Sequence, residues 1–312
     1  MGKGGAAHGK PAGTGRADEN RETRRDGMKR LLVTGASGFM GGRVVDFYRE
    51  KYEICAPGHG ELDITDEAGV IARLRDWRPD YVVHCAAISD IGQCDREPER
   101  SWKINVDGAV NLARASALVG AKCLLCSSDQ VYAGSGIRGP HLETEAVVPG
   151  NLYGREKLAA EGLCMEANPD SVHLRLSWMY DARTLNPGEH GDFLRTLLPK
   201  VGTAEKLHYP VNDIRGITDV NRVAGNLEAA FSLKGGVYNF GAPGRKAMFY
   251  MVHSLFERLG WDTGRLVKEG EAGEENPRDL TMSQEKLNAG GIFFEDTEER
   301  LLAVLAAEMH AG

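Results

Sequence analysis

A tyrosine and a lysine with four-residue spacing, Tyr153 and Lys157, stand in a segment predicted to be helical, and Tyr153 alone among the nine tyrosines is followed by a lysine four residues later. The spacing puts both side chains on one helix face. A phenol titrates near pH ~10 and exchanges protons poorly at neutral pH, but a nearby ammonium favours the phenolate and lowers that pKa. The pair therefore predicts proton transfer at the Tyr153 hydroxyl.

A hydroxyl at the end of a predicted strand is the second candidate for this chemistry. The apolar run 121–127 leads directly into Ser128 and Asp129. Open α/β sheets bind their ligands at the carboxyl ends of their strands, so we expect Ser128 to lie near Tyr153. The alternative is a serine that only satisfies backbone groups at a strand end.

A glycine-rich turn follows the first predicted strand. Gly35, Gly38 and Gly41 permit a tight turn, a close backbone approach to a pyrophosphate and close packing of the next helix. That helix presents its N–H groups to the anion. An ordinary glycine-rich turn is the alternative, but the position between a strand and a helix favours dinucleotide binding. The candidate residues are Gly35, Ser37, Gly38, Phe39, Met40 and Gly41.

The residues near the second predicted strand bear on the choice between NAD and NADP. An acidic residue at its end binds the ribose hydroxyls of NAD, whereas a basic one accommodates the 2′-phosphate of NADP. The stretch 56–59 holds neither. Arg43, just after the glycine loop, is close enough to reach such a phosphate, which favours NADP slightly over NAD. A solvated arginine in the first helical turn is the alternative.

The elements that must position these residues follow a regular alternation. Predicted strands cover 29–34, 52–56, 81–86, 121–127 and 172–177, and predicted helices cover 41–51, 67–77, 101–118 and 152–166. Strands that alternate with helices of this length predict right-handed βαβ units around a buried parallel sheet. The fold class is therefore α/β, with a doubly wound Rossmann-type sheet.

The alternation breaks up beyond Trp178, where prolines and glycines separate short elements. We therefore predict a smaller, loop-rich region that caps the sheet and binds the substrate. The predicted division is a flexible tail at 1–27, a dinucleotide-binding domain at 28–180 plus 215–245, and a substrate-binding domain at 181–214 plus 246–312.

Charge and hydropathy exclude several classes of protein. The chain has a net charge of −7, and because 1–27 holds six basic and four acidic residues, the remainder carries −9. Nucleic-acid binding rests on clustered Lys and Arg, so we expect no nucleic-acid partner. No segment has the ~18 apolar residues of a membrane helix. The first 27 residues lack the apolar centre of a secretory signal, so we expect a cytoplasmic protein.

Cysteine and histidine usage predicts neither a disulfide framework nor a metal site. Six cysteines in 312 residues are too sparse for a disulfide scaffold and fit a reducing compartment. Cys123 and Cys126 lie three apart in a predicted strand and so point to opposite faces, which disfavours a metal or redox role for that pair. The nine histidines show no pair at helical ligand spacing.

Taken in order along the chain, these motifs resemble the extended branch of the short-chain dehydrogenase/reductase superfamily, and within it the dTDP-4-dehydrorhamnose reductase family. The resemblance runs from about Lys29 to the C-terminus. Besides the glycine loop, Ser128 and the Tyr153/Lys157 pair, it rests on the segments 61–66, 78–80 leading into 84–87, 105–108 with 111–112, 175–180, and 277–279 ahead of 286–287.

The resemblance implies NAD(P)H-dependent reduction of a keto group on a nucleotide-linked sugar. In that reaction Ser128 holds the substrate carbonyl, Tyr153 supplies the proton, and Lys157 holds the nicotinamide ribose and depresses the tyrosine pKa. Asp129 and Trp178 face the sugar, although core packing is an alternative for Trp178. The resemblance is also compatible with a homodimer.

The same resemblance implies further contacts with the cofactor. Asp63 and Ile64 lie near the adenine, although a turn or cap role is an alternative for Asp63. Ala86 and Ala87 line the cofactor channel, and Asn105 belongs to the same site.

Two other activities stay open on the sequence. The β subunit of methionine adenosyltransferase is similar over these motifs, and it is a regulatory protein that keeps the fold and binds NADP. Nucleotide-sugar epimerases are similar too. Dehydratases of this superfamily carry an Asp-Glu pair where this chain has Asp129 and Gln130, and an amide cannot serve as the second acid or base, so dehydration is disfavoured.

Overall fold

The computed structural model describes Met1 and residues 27–186, 189, 191–270 and 278–311, so nearly all of the predicted tail at 1–27 lies outside the described residues. The strands, in chain order, are β1 (Arg30–Thr34), β2 (Glu53–Cys55), β3 (Tyr81–His84), β4 (Lys122–Ser128), β5 (Val172–Leu176), β6 (Trp178–Tyr180), β7 (Leu207–Pro210), β8 (Asp213–Ile214), β9 (Ile217–Asp219), β10 (Gly236–Phe240), β11 (Leu266–Glu269) and β12 (Arg278–Asp279).

The helices connect and cover these strands. They are α1 (Phe39–Tyr48), α2 (Glu67–Trp77), α3 (Ile91–Arg96), α4 (Pro98–Trp102), α5 (Gly108–Val119), α6 (Leu152–Ala167), α7 (Phe193–Val201), α8 (Val220–Ala230), α9 (Met248–Leu259), α10 (Glu285–Ala289) and α11 (Thr297–Ala311). None of the helices in the described ranges is long and apolar enough to cross a membrane.

Six parallel strands form the central sheet in the order β10-β5-β4-β3-β1-β2. The chain runs outward from β1 to β2 and then returns to the other side of β1 as β3. The carboxyl ends of β1 and β3 therefore flank a topological switch point, where open α/β sheets bind ligands. The predicted doubly wound α/β fold is confirmed.

Alternate residues of the strands bury opposite faces of the sheet. Leu31 and Val33 pack with α1 and α8 in one hydrophobic core, whereas Leu32 and Val82 pack with α2, α5 and α6 in another. This burial on both faces agrees with the predicted buried parallel sheet, since a parallel sheet covered on both faces has no polar side.

The predicted continuous helix at 101–118 differs in the structure. A π-helical segment at Lys103–Asp107 separates α4 from α5. Asn105 lies in that segment and bonds across the fold, because its Nδ2 donates to the Ile88 carbonyl at 2.9 Å and to Glu156 Oε2 at 2.7 Å, and its Oδ1 accepts from the Ile88 N–H. The periodicity of the local sequence does not predict a π-helical segment that depends on such long-range hydrogen bonds.

The second half of the chain adds β10 to the central sheet and builds a separate core from α7, α9 and α11. Its short strands pair in parallel as β6 with β9, β7 with β11 and β8 with β12. The predicted division into a dinucleotide-binding and a substrate-binding domain stays a prediction.

Candidate active site

A cavity of about 640 Å³ opens at the carboxyl edge of the sheet, between the ends of β1, β3, β4 and β5 and the start of α6. It brings together most of the predicted site residues. Those on its wall are Gly35, Gly38, Phe39, Met40, Gly41, Ala87, Ser128, Asp129, Tyr153, Lys157 and Trp178.

Ser128, Tyr153 and Lys157, which we call the proton-transfer group, come from two elements of the fold. Ser128 ends β4, and its Oγ accepts the N–H of Gln130 at 3.2 Å. Helix α6 is capped by Asn151, whose side chain accepts the Gly154 N–H at 2.8 Å, which fixes where Tyr153 enters the cavity. The Lys157 ammonium lies 5.6 Å from the centroid of the Tyr153 ring, so the predicted pair faces the cavity from one side of the helix.

Lys157 is held by the neighbouring strand. Its Nζ donates to the Cys126 carbonyl of β4 at 2.9 Å. An ammonium has three donors, and one of them is used in this bond, so Lys157 can also donate to a ligand in the cavity. Burial lowers the pKa of the Lys157 ammonium from its ordinary value.

The expectation that Lys157 depresses the pKa of Tyr153 is wrong in this structure. Burial raises the pKa of Tyr153 well above its ordinary value, and the negative charge of Asp129 adds to the rise, while a hydrogen bond with Ser128 opposes it. Removing the phenolate from water outweighs the distant cation. Tyr153 therefore keeps its proton at neutral pH, which is the form that a proton donor needs.

The glycine loop fits the pyrophosphate of a dinucleotide. A Cβ on Gly41 would lie 2.2 Å from the Gly35 carbonyl oxygen, and one on Gly35, whose φ is +70°, would lie 2.6 Å from the Ala86 nitrogen. The loop is therefore as close to α1 and to the end of β3 as backbone allows. Gly38 caps α1 without a side chain, which leaves the N–H groups of the first turn for an anion.

Arg43 does not have the predicted role. Its side chain is 1% exposed, and its guanidinium donates to Asp181 Oδ2 at 3.0 Å, to Glu189 and to the backbone carbonyls of Phe39 and Arg183. It is neither the solvated arginine of the alternative nor free to bind a 2′-phosphate. The cation neutralises two buried carboxylates that come from more than a hundred residues away.

The remaining predicted cofactor residues lie outside the described cavity wall. Asp63 is exposed and accepts the N–H and the hydroxyl of Thr65 at 2.9 and 2.8 Å, which is the alternative turn role. Ile64 is buried and its side chain covers Gly108. The other three are Ser37, exposed on the loop, Ala86, against Gly35, and Asn105, in the π-helical segment.

The other end of the cavity carries charge that the sequence analysis did not identify. Arg215 Nη2 donates to Asp129 Oδ2 at 2.8 Å, and its guanidinium lies 5.3 Å from the Trp178 ring. Arg278 bonds to Asp213 at 2.9 Å and to Gln130 Oε1 at 3.3 Å. Arg278 belongs to a segment of the resemblance, whereas no local pattern marks Arg215, because β8 and β9 reach the site only through tertiary packing.

Within the described ranges, no group of three or more His, Cys, Asp or Glu side chains could hold a metal ion. A parallel sheet with this loop and a Ser-Tyr-Lys group defines an NAD(P)-dependent oxidoreductase of the extended short-chain dehydrogenase/reductase class.

Residues 28–307 match the family described as RmlD substrate binding domain, and the chain belongs to that family. It is 28% identical to the spore coat polysaccharide biosynthesis protein SpsK of Bacillus subtilis over 85% of this chain and 93% of that one. It is 27% identical to a dTDP-4-dehydrorhamnose reductase of Mycolicibacterium smegmatis over 94% and 90%. The predicted resemblance is confirmed.

A solved structure superposes on most of the chain. The crystal structure of dTDP-4-dehydrorhamnose reductase from Bacillus anthracis in complex with NADP superposes with a TM-score of 0.77 at 25% identity, over 90% of this chain and 98% of that one.

Gly41→Ala tests the glycine loop. The added methyl group meets the Gly35 carbonyl, so the loop must move, and we expect NADPH affinity to fall at least about tenfold, a loss of ~1.4 kcal/mol. Fluorescence titration with NADPH measures it. The control is Gly162→Ala in α6, where a Cβ meets nothing within 4 Å and helix propensity favours alanine. Equal NADPH affinity in both variants and the wild type would contradict the assignment.

Proposed function

We propose that this protein reduces the keto group of a dTDP-linked 4-keto sugar, with NADPH as reductant, as a dTDP-4-dehydrorhamnose reductase does. The observation that carries the proposal is the convergence of Ser128, Tyr153 and Lys157 on one cavity that the glycine loop also lines. The relatives with the same name support the substrate class.

Each residue of the proton-transfer group has a separate role in the reduction. The cofactor supplies a hydride when it is bound. The Ser128 hydroxyl donates a hydrogen bond to the substrate carbonyl oxygen and orients it, and the Tyr153 phenol gives its proton to that oxygen as the alcohol forms. Lys157 binds the ribose hydroxyls with the donors that the Cys126 carbonyl leaves unused.

The charged end of the cavity suits a nucleotide-linked sugar. Such a substrate carries two phosphate groups, and arginine guanidinium groups match phosphate oxygens in geometry and charge. Arg215 and Arg278 supply these cations, with Asp129 and Asp213 holding them in place. Trp178, 37% exposed on the cavity wall, offers an apolar face to the sugar.

The cofactor is NADP in this proposal because the Bacillus anthracis neighbour is in complex with NADP, and not because of Arg43. The six cysteines are free, which supports a reducing compartment and hence the cytoplasm. A homodimer stays a prediction.

The test is turnover with defined sugars. The purified chain is mixed with NADPH and dTDP-4-dehydrorhamnose, and the absorbance of the reduced nicotinamide is followed. We expect consumption of NADPH, at least about tenfold faster than with NADH or with a UDP-linked keto sugar, which corresponds to ~1.4 kcal/mol of discrimination.

Two outcomes would favour the alternatives. NADPH binding without turnover of any keto sugar in the panel points to a regulatory subunit. Interconversion of sugar epimers with no net consumption of cofactor points to an epimerase.

A further inference from the structure

Two thiols face each other on the floor of the cavity. Cys85 follows the last residue of β3 and Cys126 lies within β4, and their sulfur atoms are 3.6 Å apart. Both cysteines are free, partly exposed and part of the cavity wall. Neither thiol group has a role in the reduction proposed above.

The sheet register brings these two residues together. His84 pairs with Leu125 in the parallel ladder of β3 and β4, so Cys85 and Cys126 come one step further along adjacent strands. Both pack against the same hydrophobic core and therefore point to the same face. Neighbouring strands lie about 4.8 Å apart, which is inside the Cα separation of about 4.4–6.8 Å that a disulfide accepts.

One of the two sulfurs is prepared as a nucleophile. The hydrogen bond from Cys85 lowers the pKa of Cys126, and the Lys157 ammonium lowers it further, while the same bond and burial raise the pKa of Cys85. A thiolate and not a thiol attacks an oxidant. Lys157 Nζ also lies next to Cys126, 2.9 Å from its carbonyl oxygen, so we assign Cys126 as the attacking sulfur and Cys85 as the resolving one.

We propose that Cys85 and Cys126 form a reversible thiol–disulfide modification site whose oxidation is slower when a dinucleotide occupies the cofactor cavity. With hydrogen peroxide as oxidant, the Cys126 thiolate attacks one peroxide oxygen, the O–O bond breaks and hydroxide leaves to become water. The Cys85 sulfur then attacks the Cys126 sulfenic acid, the S–O bond breaks, a second water leaves and the S–S bond forms. Both thiols together give up two electrons, and a dithiol reductant reverses the change.

Closing this bond changes the cofactor cavity directly. The sulfurs must approach by about 1.5 Å to reach the ~2.05 Å of a disulfide, which draws together the carboxyl ends of β3 and β4. Lys157 is bonded to the Cys126 carbonyl at 2.9 Å, and a Cβ on Gly35 would lie 2.8 Å from the Cys85 carbonyl carbon. The disulfide therefore disturbs a ribose contact and the glycine loop, and a bound dinucleotide shields both sulfurs.

The experiment is oxidation of the full chain with hydrogen peroxide, with and without saturating NADP, followed by mass analysis. In the wild type we expect two free thiols to disappear of the six, the loss of two hydrogen masses, and a peptide pair linked through Cys85 and Cys126. Dithiothreitol should restore both thiols. NADP should slow the formation of the link at least about tenfold. Oxidation should in turn lower the affinity for NADPH at least about tenfold.

The control variant lies on the same strand. Cys123 is in β4 but is buried in the core of the opposite face, so Cys123→Ala should still form the link and lose affinity on oxidation. Cys85→Ala can be oxidised at Cys126 but cannot form the link, so it should lose clearly less NADPH affinity on peroxide treatment than the wild type.

Three results would overturn the proposal. The first is the absence of the Cys85–Cys126 link in peroxide-treated protein whose thiols still react with a maleimide in denaturant. The second is an equal rate of disulfide formation with and without NADP. The third is an equal loss of NADPH affinity on oxidation in Cys85→Ala and the wild type. The link is measured in the wild-type chain and NADPH affinity is measured without a sugar. A misfolded variant or a failure of the proposed reductase activity would therefore not be mistaken for a failure of the disulfide.

Discussion

Tyr153→Phe lowers kcat for keto-sugar reduction by about 10²- to 10⁴-fold, the usual contribution of a positioned general acid. The variant keeps the ring, so we expect its NADPH affinity to stay within about threefold, less than ~0.7 kcal/mol. The hydroxyl removed is the one that burial keeps protonated between Ser128 and the cavity. Turnover by absorbance and NADPH binding by fluorescence measure the two effects separately.

A second tyrosine provides the control for this result. Tyr250 lies on α9, is 41% exposed and is not among the residues that line the cavity. Tyr250→Phe should leave kcat at the wild-type value. If Tyr153→Phe retains more than about a tenth of the wild-type kcat, another group donates the proton and our assignment of the general acid is wrong.

Arg175→Met destabilises the protein by about 3–5 kcal/mol, because it leaves a buried carboxylate without its partner. Arg175 in β5 donates to both oxygens of Glu161 in α6, at 3.0 and 2.7 Å, and each side chain is 3% exposed. Ser127 of β4 donates to the same carboxylate at 2.5 Å. Denaturant unfolding followed by circular dichroism measures the loss.

This ion pair matters to the site because Glu161 lies one helical turn beyond Lys157. It ties α6 to β4 and β5, the strands that frame the proton-transfer group. Although burial works against the charge of Arg175, the carboxylate outweighs it and raises the pKa of that guanidinium.

An exposed ion pair and a double variant serve as controls for Arg175. Lys200 Nζ lies 2.8 Å from Glu205 Oε1 with side chains 37% and 52% exposed, so Lys200→Met should cost less than about 1 kcal/mol. Combining Arg175→Met with Glu161→Leu should recover part of the loss, since no buried charge is then unpaired. Equal losses for Arg175→Met and Lys200→Met would show that the buried pair does not anchor α6.

Much of the scaffold could be read from local patterns. The predicted helix at 67–77 coincides with α2, and the predicted strand at 172–177 differs from β5 by one residue at its end. Apolar runs and amphipathic periods depend on neighbours close in the chain, so they survive without knowledge of the fold. The exception is the π-helical segment at 103–107, where Asn105 forms hydrogen bonds with residues distant in the chain.

The order of strands and helices, the glycine loop and the shared face of Tyr153 and Lys157 follow from local patterns, because each depends on residues within one or two turns. The use of the charges and thiols depends on the packed fold. Arg43 is neutralised by Asp181, Arg215 reaches Asp129, and Cys85 meets Cys126 across adjacent strands. Partners, burial and hence pKa values come from long-range packing, which brings together groups that no spacing along the chain relates.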